Sequence, residues 1–174
     1  MRSLAVAWFL VLSFSALASA ASGGKEARPL TLDERLRRID QFLGARPSFL
    51  NRQSLQEFRT LAALRRETIE RAPNPHVAAE TLEYHLMVFD GLEVTGLVEP
   101  TGGFSPVLVT VTSAAWKIPN GLDVGAPASR VVTVLGPPME KTEAALTYHG
   151  TSDQVTFHLR GGVIAKITLQ YYSD

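Results

Sequence analysis

Histidine is the residue type in this chain that could bind a metal or transfer a proton near neutral pH, and there are four: His76, His85, His149 and His158. An antiparallel meander that pairs residues 150 and 155 would place His149 and His158 on the solvent face of adjacent strands, about one diagonal step apart. With Asp153 as a third ligand, such a pair could bind zinc. No HxH or HExxH motif and no cysteine accompanies them, which favours exposed strand histidines. We therefore predict no metal ligand.

A catalytic nucleophile is equally hard to find in the sequence. No serine lies in a Gly-x-Ser-x-Gly motif, and the chain has no cysteine. Ser152 and Asp153 stand near His149, but they fall in a predicted four-residue hairpin loop, where serine and aspartate are ordinary turn formers. The acidic residues that could form a carboxylate pair are spread over turns and strand ends: Asp90, Glu93, Glu99 and Asp123. We predict no catalytic residue.

Two other patterns could have bound a ligand. The glycine pairs at 102–103 and 161–162 lack the spacing of a phosphate-binding loop, so we predict no cofactor. Arginines and glutamates alternate between residues 52 and 71, which favours a solvated, ion-paired helix face over an anion-binding patch. The residues concerned are Arg59, Arg65, Arg66 and Arg71 with Glu57, Glu67 and Glu70.

Aromatic side chains are the remaining candidates for a binding surface, because they make good anchors in partner pockets. Tyr171 continues the predicted core parity of Leu169, so Tyr172 is expected to point outward. We take Tyr172 and Trp116 as the interface candidates.

Two N-terminal amphipathic helices are predicted from a repeated capping box, a hydroxyl residue followed three residues later by glutamate. Thr31 and Glu34 begin the first helix, whose apolar stripe ends before Gly44. Ser54 and Glu57 begin the second, which we extend to residue 72, just before a Pro-Asn-Pro sequence.

From about residue 82 the apolar period changes to two, which predicts strands over 82–89, 92–98 and 107–112. Asp90-Gly91 fits a type I′ hairpin turn, which would place four residues on one core face: Met87, Phe89, Leu92 and Val94. A short helix over 127–135 follows, with Pro127 in its first turn and Gly136 at its end.

The C-terminal end is predicted to be a β-meander over 145–150, 155–160 and 163–172. Val155, Phe157 and Leu159 would face Val163, Ala165, Ile167 and Leu169, which requires residue 159 to pair with residue 165. We therefore predict a bulged connection at Gly161-Gly162 with one glycine at positive φ. A strict two-residue turn would instead bury Ile164 and Lys166.

Residues 1–20 follow the plan of a secretory signal peptide, with Arg2, an apolar run and small residues before a predicted cleavage between Ala20 and Ala21. As an uncleaved anchor, residues 4–18 would rise only about 22 Å, less than a hydrocarbon core of about 30 Å. Residues 21–30 are expected to form a flexible leader. The expected location is the periplasm, with secretion as the alternative.

Charge and cysteine content narrow the class of partner. The chain has 17 basic and 17 acidic residues, which argues against nucleic acid or anionic lipid as a partner. With no cysteine there is no disulfide framework, so the fold must be stabilised by packing alone. We expect no stable membrane insertion after cleavage.

The last third of the chain also carries a recognisable pattern of positions. Gly125 and Val131 lead to Leu135-Gly136 and Pro138, and then to Tyr148, Phe157, Gly162-Val163 and Ile167. This pattern resembles the exported α-β-β modules of the SmpA/OmlA (BamE-like) and β-lactamase-inhibitor-protein type. The resemblance implies a non-enzymatic role in envelope assembly or protein binding. The lipobox cysteine of the envelope lipoproteins is absent, and residues 31–112 have no counterpart.

We predict one α+β domain over residues 31–174, helical over 31–72 and mainly antiparallel strands over 82–174. The expected function is a non-enzymatic protein-binding module of the cell envelope, which contacts another envelope or secreted protein through a sheet face or edge. One alternative is a small-molecule or lipid carrier with a pocket between helices and sheet, lined by Met87, Phe89 and Trp116. A histidine-dependent hydrolase is the other.

Overall fold

The computed structural model describes residues 28, 30–74, 77 and 79–172, so the predicted signal peptide, its cleavage site at Ala20 and Ala21, and His76 lie outside the described residues. The helices are α1 (Leu32–Gly44), α2 (Leu55–Arg59) and α3 (Ala128–Leu135), with 3-10 turns at Ser48–Leu50 and Pro119–Gly121. The strands are β1 (Arg66–Pro73), β2 (Thr81–Phe89), β3 (Leu92–Val98), β4 (Phe104–Val111), β5 (Glu140–Lys141), β6 (Ala145–His149), β7 (Gln154–Arg160) and β8 (Val163–Gln170).

All eight strands belong to one sheet in the order β1-β2-β3-β4-β8-β7-β6-β5, and every neighbouring pair is antiparallel. The sheet consists of two meanders, β1–β4 and β5–β8, which meet where β4 pairs with β8. The predicted α+β class with a mainly antiparallel sheet is therefore confirmed. No helix in the described part of the chain is long and apolar enough to span a membrane.

One continuous hydrophobic core lies between the helices and a single face of the sheet. Alternate strand positions point into it, as the period of two requires. The helices contribute Ile39, Phe42, Leu43, Phe58, Val131 and Leu135. The strands contribute Met87, Phe89, Leu92, Val94, Val109, Val111, Leu146, Tyr148, Val155, Phe157, Ile164, Ile167 and Leu169.

Helix α1 begins as the sequence predicts and is fastened to the C-terminal meander. The capping box of Thr31 and Glu34 is complete: the Thr31 hydroxyl accepts a hydrogen bond from Glu34 N–H, and the Glu34 carboxylate accepts one from Thr31 N–H. Asp40 accepts two hydrogen bonds of 2.7 Å from Thr151, one from its backbone N–H and one from its hydroxyl. The helix is thereby held to the loop between β6 and β7.

The second predicted helix is wrong over most of its length. Its capping box at Ser54 and Glu57 forms, but α2 ends at Arg59 and residues 66–73 form strand β1. In that segment the backbone pairs with β2 over its whole length. Thr68 and Ile69 are β-branched and suit a strand, so tertiary pairing outweighs the helical spacing of the leucines before them.

The β2–β3 hairpin forms with the predicted core face, because Met87, Phe89, Leu92 and Val94 are all buried. The predicted type I′ turn is wrong. Gly91 has a φ of 71°, whereas Asp90 is not among the described residues with positive φ. The turn thus contains one left-handed residue, and the type I′ conformation needs two.

The predicted bulge between β7 and β8 occurs at a different residue. Gly161 and Gly162 both have positive φ and form a strict two-residue turn, in which Leu159 pairs with Ile164. The register then shifts, so that His158 pairs with Lys166 and the extra residue lies in β8. Ile164 is therefore buried, while Val163 is 41% exposed. Helix α3 also begins one residue later than predicted, with Pro127 at its N-cap.

Gly96 in β3 provides a test of this packing. A Cβ atom at this position would lie 2.3 Å from the ring of Phe104, which is buried and packs on Phe58 at a ring-centroid distance of 4.8 Å. We expect Gly96→Ala to lower the free energy of unfolding by about 1–3 kcal/mol in urea denaturation, because the ring has no space to move into.

Gly44, the last residue of α1, is the matched control. A Cβ atom there would meet no heavy atom within 4 Å. Gly44→Ala should leave stability unchanged or raise it by up to about 1 kcal/mol, since alanine favours the helix. Equal stability of the two variants would contradict the described packing of Phe104.

Candidate interaction surfaces

His149 and His158 do not form the predicted pair. Tyr148, rather than residue 150, pairs with Val155, so His149 lies opposite Gln154 and four residues along the strand from His158. That separation is about 13 Å, too far for one metal ion. In the part of the chain that the structure describes, no group of three histidine or acidic side chains is placed to bind a metal.

Each of these histidines has a local partner instead. His149 Nε2 lies 3.3 Å from Glu140 Oε1, and His158 Nε2 lies 3.2 Å from Thr168 Oγ1. Burial and the nearby charge of Lys166 lower the pKa of His158 from its usual value, which favours the neutral ring. Both residues are thus explained as ordinary members of the solvent-facing side of the sheet.

Ser152 and Asp153 lie in the predicted four-residue loop between β6 and β7. The Asp153 carbonyl accepts a hydrogen bond from Gly150 N–H, and its Oδ1 accepts one from Tyr172 N–H at 3.1 Å. The aspartate therefore closes the loop and holds the end of the described chain, and it does not orient His149.

The two aromatic candidates occupy different environments. Trp116 packs edge-on against Phe49, with ring centroids 5.3 Å apart, and its Nε1 donates to the Asp90 carbonyl at 2.8 Å. It closes one side of the core. Tyr172 is 55% exposed, and its hydroxyl accepts a hydrogen bond from Gln170 at 2.6 Å, while Tyr171 is buried. Of the two candidates, Tyr172 has the exposed ring.

The sheet face opposite the core differs between its two meanders. On β6, β7 and β8 this outer face is polar and contains a row of threonines that pair directly across the strands, continuing to Thr110 on β4. Its side chains are Thr147, His149, Gln154, Thr156, His158, Thr168 and Gln170. This half has the composition expected of an antiparallel sheet that faces water.

On β2, and at Leu97 of β3 and Leu108 of β4, the same outer face is apolar. The other outer positions of β3 and β4 include Glu93, Thr95 and Thr110, which are polar. Tyr84 pairs with Leu97, and both lie on the opposite side from the buried Met87. Leu108 is 39% exposed, and its neighbours are half-buried by one another. We call this set the outer apolar patch: Leu82, Tyr84, Leu86, Val88, Leu97 and Leu108. None of its members belongs to the core.

The sequence contained a signal for this patch. Residues 82, 84, 86 and 88 are all apolar although Met87 and Phe89 on the other face already supply the core, so β2 has no polar face toward solvent. A strand of that kind is usually buried on both sides.

A charged cluster joins β1, β2 and α2 on the core side of the sheet. His85 is only 1% exposed, and its Nδ1 lies 2.5 Å from Glu67 Oε1 while its Nε2 lies 2.9 Å from Glu83 Oε1. Arg59 of α2 donates from two nitrogens to Glu67, and Arg71 pairs with Glu83 at 2.7 Å. These five residues are the charged cluster.

Both ring nitrogens of His85 are occupied by carboxylate partners, Nδ1 by Glu67 and Nε2 by Glu83. Around the buried ring the cluster combines two arginines with two glutamates. Neither ring nitrogen is therefore directed at an open site where a metal ion or a substrate could bind.

The charged cluster was missed in the sequence because Glu67 was placed on a helix. One signal was present, since His85 has the same parity as the core residues Met87 and Phe89. A histidine at a core position needs polar partners, and the acidic residues of a neighbouring strand are the natural supply.

Two cavities occur in the described part of the chain, and the second adjoins both surfaces, since Leu82 and Leu97 of the outer apolar patch and Glu83 of the charged cluster line it. One of about 290 Å³ is located between α1 and α3, beside Arg38, Gln41 and Asn120. The other, of about 520 Å³, is located at the end of the β2–β3 hairpin and is lined in part by Glu80, Glu83 and Glu99. Neither is lined by Met87, Phe89 or Trp116, the residues of the predicted carrier pocket.

The charged cluster predicts an acid-dependent loss of stability. The pKa of Glu67 is lowered from its usual 4.5, first by the hydrogen bond from Arg59 and then by His85, and that of Glu83 is lowered by His85 and Arg71. A carboxylate with a lowered pKa stabilises the fold above its unfolded pKa, and this contribution disappears as the pH falls through the folded value. Stability should therefore decrease below about pH 4.5.

Glu67→Gln should lower the free energy of unfolding at pH 7 by about 1–3 kcal/mol and flatten the acid limb of the stability curve. Glu70→Gln, on the opposite face of the same strand, is the control and should change stability by less than about 0.5 kcal/mol. Urea denaturation between pH 3 and pH 7 measures both. If the free energy of unfolding depended on pH in the same way for Glu67→Gln and the unmodified chain, the proposed role of the cluster would be excluded.

No protein-family model matches the chain, and no curated protein sequence matches it either. Among solved structures, the chain is similar to the crystal structure of the uncharacterized protein yfeY from Escherichia coli. The two share 13% sequence identity over 66% of this chain and 86% of that chain, with a TM-score of 0.38. A similarity of this size carries no functional argument.

Proposed function

We propose that the chain is a non-enzymatic protein-binding module of the cell envelope, and that the outer apolar patch is its contact surface. The observation that carries this proposal is the contrast within one sheet face. The β6–β8 half is built from threonine, glutamine and histidine, whereas the outer side chains of β2 from Leu82 to Val88 are all apolar and are joined by Leu97 of β3 and Leu108 of β4.

The patch has the composition of an interface centre. Contiguous apolar side chains outside the core of a protein commonly mark a contact with another macromolecule. Tyr84 adds a rigid aromatic ring with a polar end, a residue type that is enriched among the strongest contributors to binding. Leu86 lies next to it on the same face of β2, and Leu97 lies opposite it on β3, so a partner could cover a surface two strands wide.

A location in the periplasm, or outside the cell, is part of the proposal. It is supported by the signal-peptide pattern of residues 1–20 and by the resemblance of the last third to exported modules of the BamE-like type. A partner in this compartment would be another envelope or secreted protein. Tyr172 lies at the polar end of the outer face, beside Gln170, and is a second contact candidate.

The carrier alternative receives less support. Met87 and Phe89 are buried in the core, and Trp116 fills the space beside Phe49, so the predicted lining residues are packed against each other. The hydrolase alternative needs a histidine with a free ring nitrogen near a second catalytic group. His85 has both nitrogens occupied, and His149 and His158 lie on separate parts of the sheet.

The test is affinity purification of residues 21–174 from envelope extract, with mass spectrometry of both proteins and small molecules. We expect a stoichiometric protein partner. Leu86→Thr/Leu97→Thr should weaken its capture by tenfold or more, because each change removes about 1–2 kcal/mol of apolar burial. Threonine preserves the strand propensity, so circular dichroism should be unchanged.

Thr156→Val/Thr168→Val is the matched control on the polar half of the same face and should retain the partner. Equal capture by the two double variants would exclude the outer apolar patch as the contact surface. A bound metabolite or lipid without a protein would instead favour the carrier.

A further inference from the structure

The free edge of β1 is long and unlike the other edge of the sheet. Strand β1 has eight residues, whereas β5 at the opposite edge has two. In the described part of the chain, no other strand lies beside β1 on its outer side. Ile69, in the middle of this edge, is 49% exposed.

The backbone of β1 determines which residues can pair outward. Asn74 N–H donates to the Glu80 carbonyl at 2.9 Å, so the even-numbered residues of β1 form the hydrogen-bonded pairs with β2. The N–H and C=O groups of Glu67, Ile69 and Arg71 consequently point away from the sheet. A further strand would have to pair with these three.

From this pattern we infer that β1 pairs with β1 of a second copy, antiparallel, with Ile69 opposite Ile69 on a two-fold axis. In this register Glu67 lies opposite Arg71 of the second copy, and the same pair occurs again across the axis. In this register each residue whose N–H and C=O groups point outward lies opposite another such residue, so the two backbones can form hydrogen-bonded pairs. Two ion pairs flank a central apolar contact.

The other symmetric registers are less favourable. Centring the pair on Glu67, Glu70 or Arg71 places like charges directly opposite each other. Centring it on Thr68 places Arg65 opposite Arg71 at both ends. Like charges in directly opposed positions destabilise a strand pair, so the charge pattern selects the register centred on Ile69.

The edge has only one of the features that protect a strand against pairing, which include inward-pointing charges, lysines and a proline in the middle. Glu67 and Arg71 are charged and point to the core side, but both have partners within the charged cluster. Pro73 stands at the end of the strand, β1 contains no lysine, and its charges are of both signs.

The inference is independent of the outer apolar patch, because it involves the edge of the sheet rather than its face. A dimer of this kind would join two eight-stranded sheets into one and place the two patches on the same side. Only one strand per copy is buried, so we expect a dimer that dissociates on dilution.

Single cysteines test the register directly, since the native chain has no cysteine. Ile69→Cys should form a disulfide-linked dimer under mild oxidation, because opposed residues bring the Cα atoms to about 5.5 Å. Thr68→Cys and Glu70→Cys should each stay monomeric under the same conditions, and an equimolar mixture of the two should form a mixed dimer. The register would be overturned if the Thr68→Cys variant formed a disulfide-linked dimer with itself, or if the Ile69→Cys variant formed no such dimer.

Analytical ultracentrifugation of the unmodified chain, at concentrations from about 1 µM to 1 mM, tests the dimer itself. We expect a reversible monomer–dimer equilibrium, and Ile69→Lys should raise its dissociation constant at least tenfold. Leu32→Lys, at an exposed leucine of α1 far from this edge in the sequence, should leave it unchanged. A monomer at every concentration would overturn the inference. Partner capture through the outer apolar patch is measured in a separate experiment, so the proposed function and the dimer can be contradicted independently.

Discussion

The pairing of β4 with β8 is the constraint on which the rest of the structure depends. Only four residue pairs form it, between Leu108–Val111 and Ile167–Gln170, yet it joins two meanders into one sheet. Val109 and Val111 on one side and Ile167 and Leu169 on the other carry the core across this junction without exposure to solvent. The helices can therefore cover one face of the whole sheet, and the opposite face is left without helices.

A sheet that helices cover on one face exposes its other face and its edge strands. Both of these surfaces differ between the two meanders. The outer face of β6–β8 is hydrophilic, and its edge strand β5 is very short. In the other half, the outer apolar patch covers β2 and reaches Leu97 and Leu108, and the edge strand β1 is long and charged in a self-complementary pattern. The surfaces with features suited to binding thus occur together in the N-terminal meander. The charged cluster lies beneath them and fastens β1 to β2 and to α2.

The local signals in the sequence predicted much of this fold. Capping boxes located the starts of α1 and α2, and the period of two located the core face of the β2–β3 hairpin. Errors arose where a distant pairing decides the outcome. The helical spacing of the leucines before residue 66 favoured a longer helix, and residues 66–73 become a strand because β2 offers backbone partners. The same applies to His149 and His158, whose separation depends on a register that changes when a four-residue loop begins one residue earlier.

The candidate surfaces were only partly predictable for a similar reason. A sheet face or edge was expected to be the contact surface, and Tyr172 was expected to point outward. The identity of the edge strand could not be predicted while β1 was assigned to a helix. The charged cluster combines residues from three elements, so no sequence motif represents it.

The link between Asp40 and Thr151 has a consequence for how the chain reaches this structure. The two residues are 111 positions apart, and Phe42 of the same helix packs on Phe157. A chain that emerges from its N-terminus therefore presents α1 long before the surface that buries it exists. The β1–β4 meander can assemble from neighbouring segments, whereas α1 must remain undocked until almost the last residues have appeared. During that interval its amphipathic face has no surface to pack on and is accessible to chaperones.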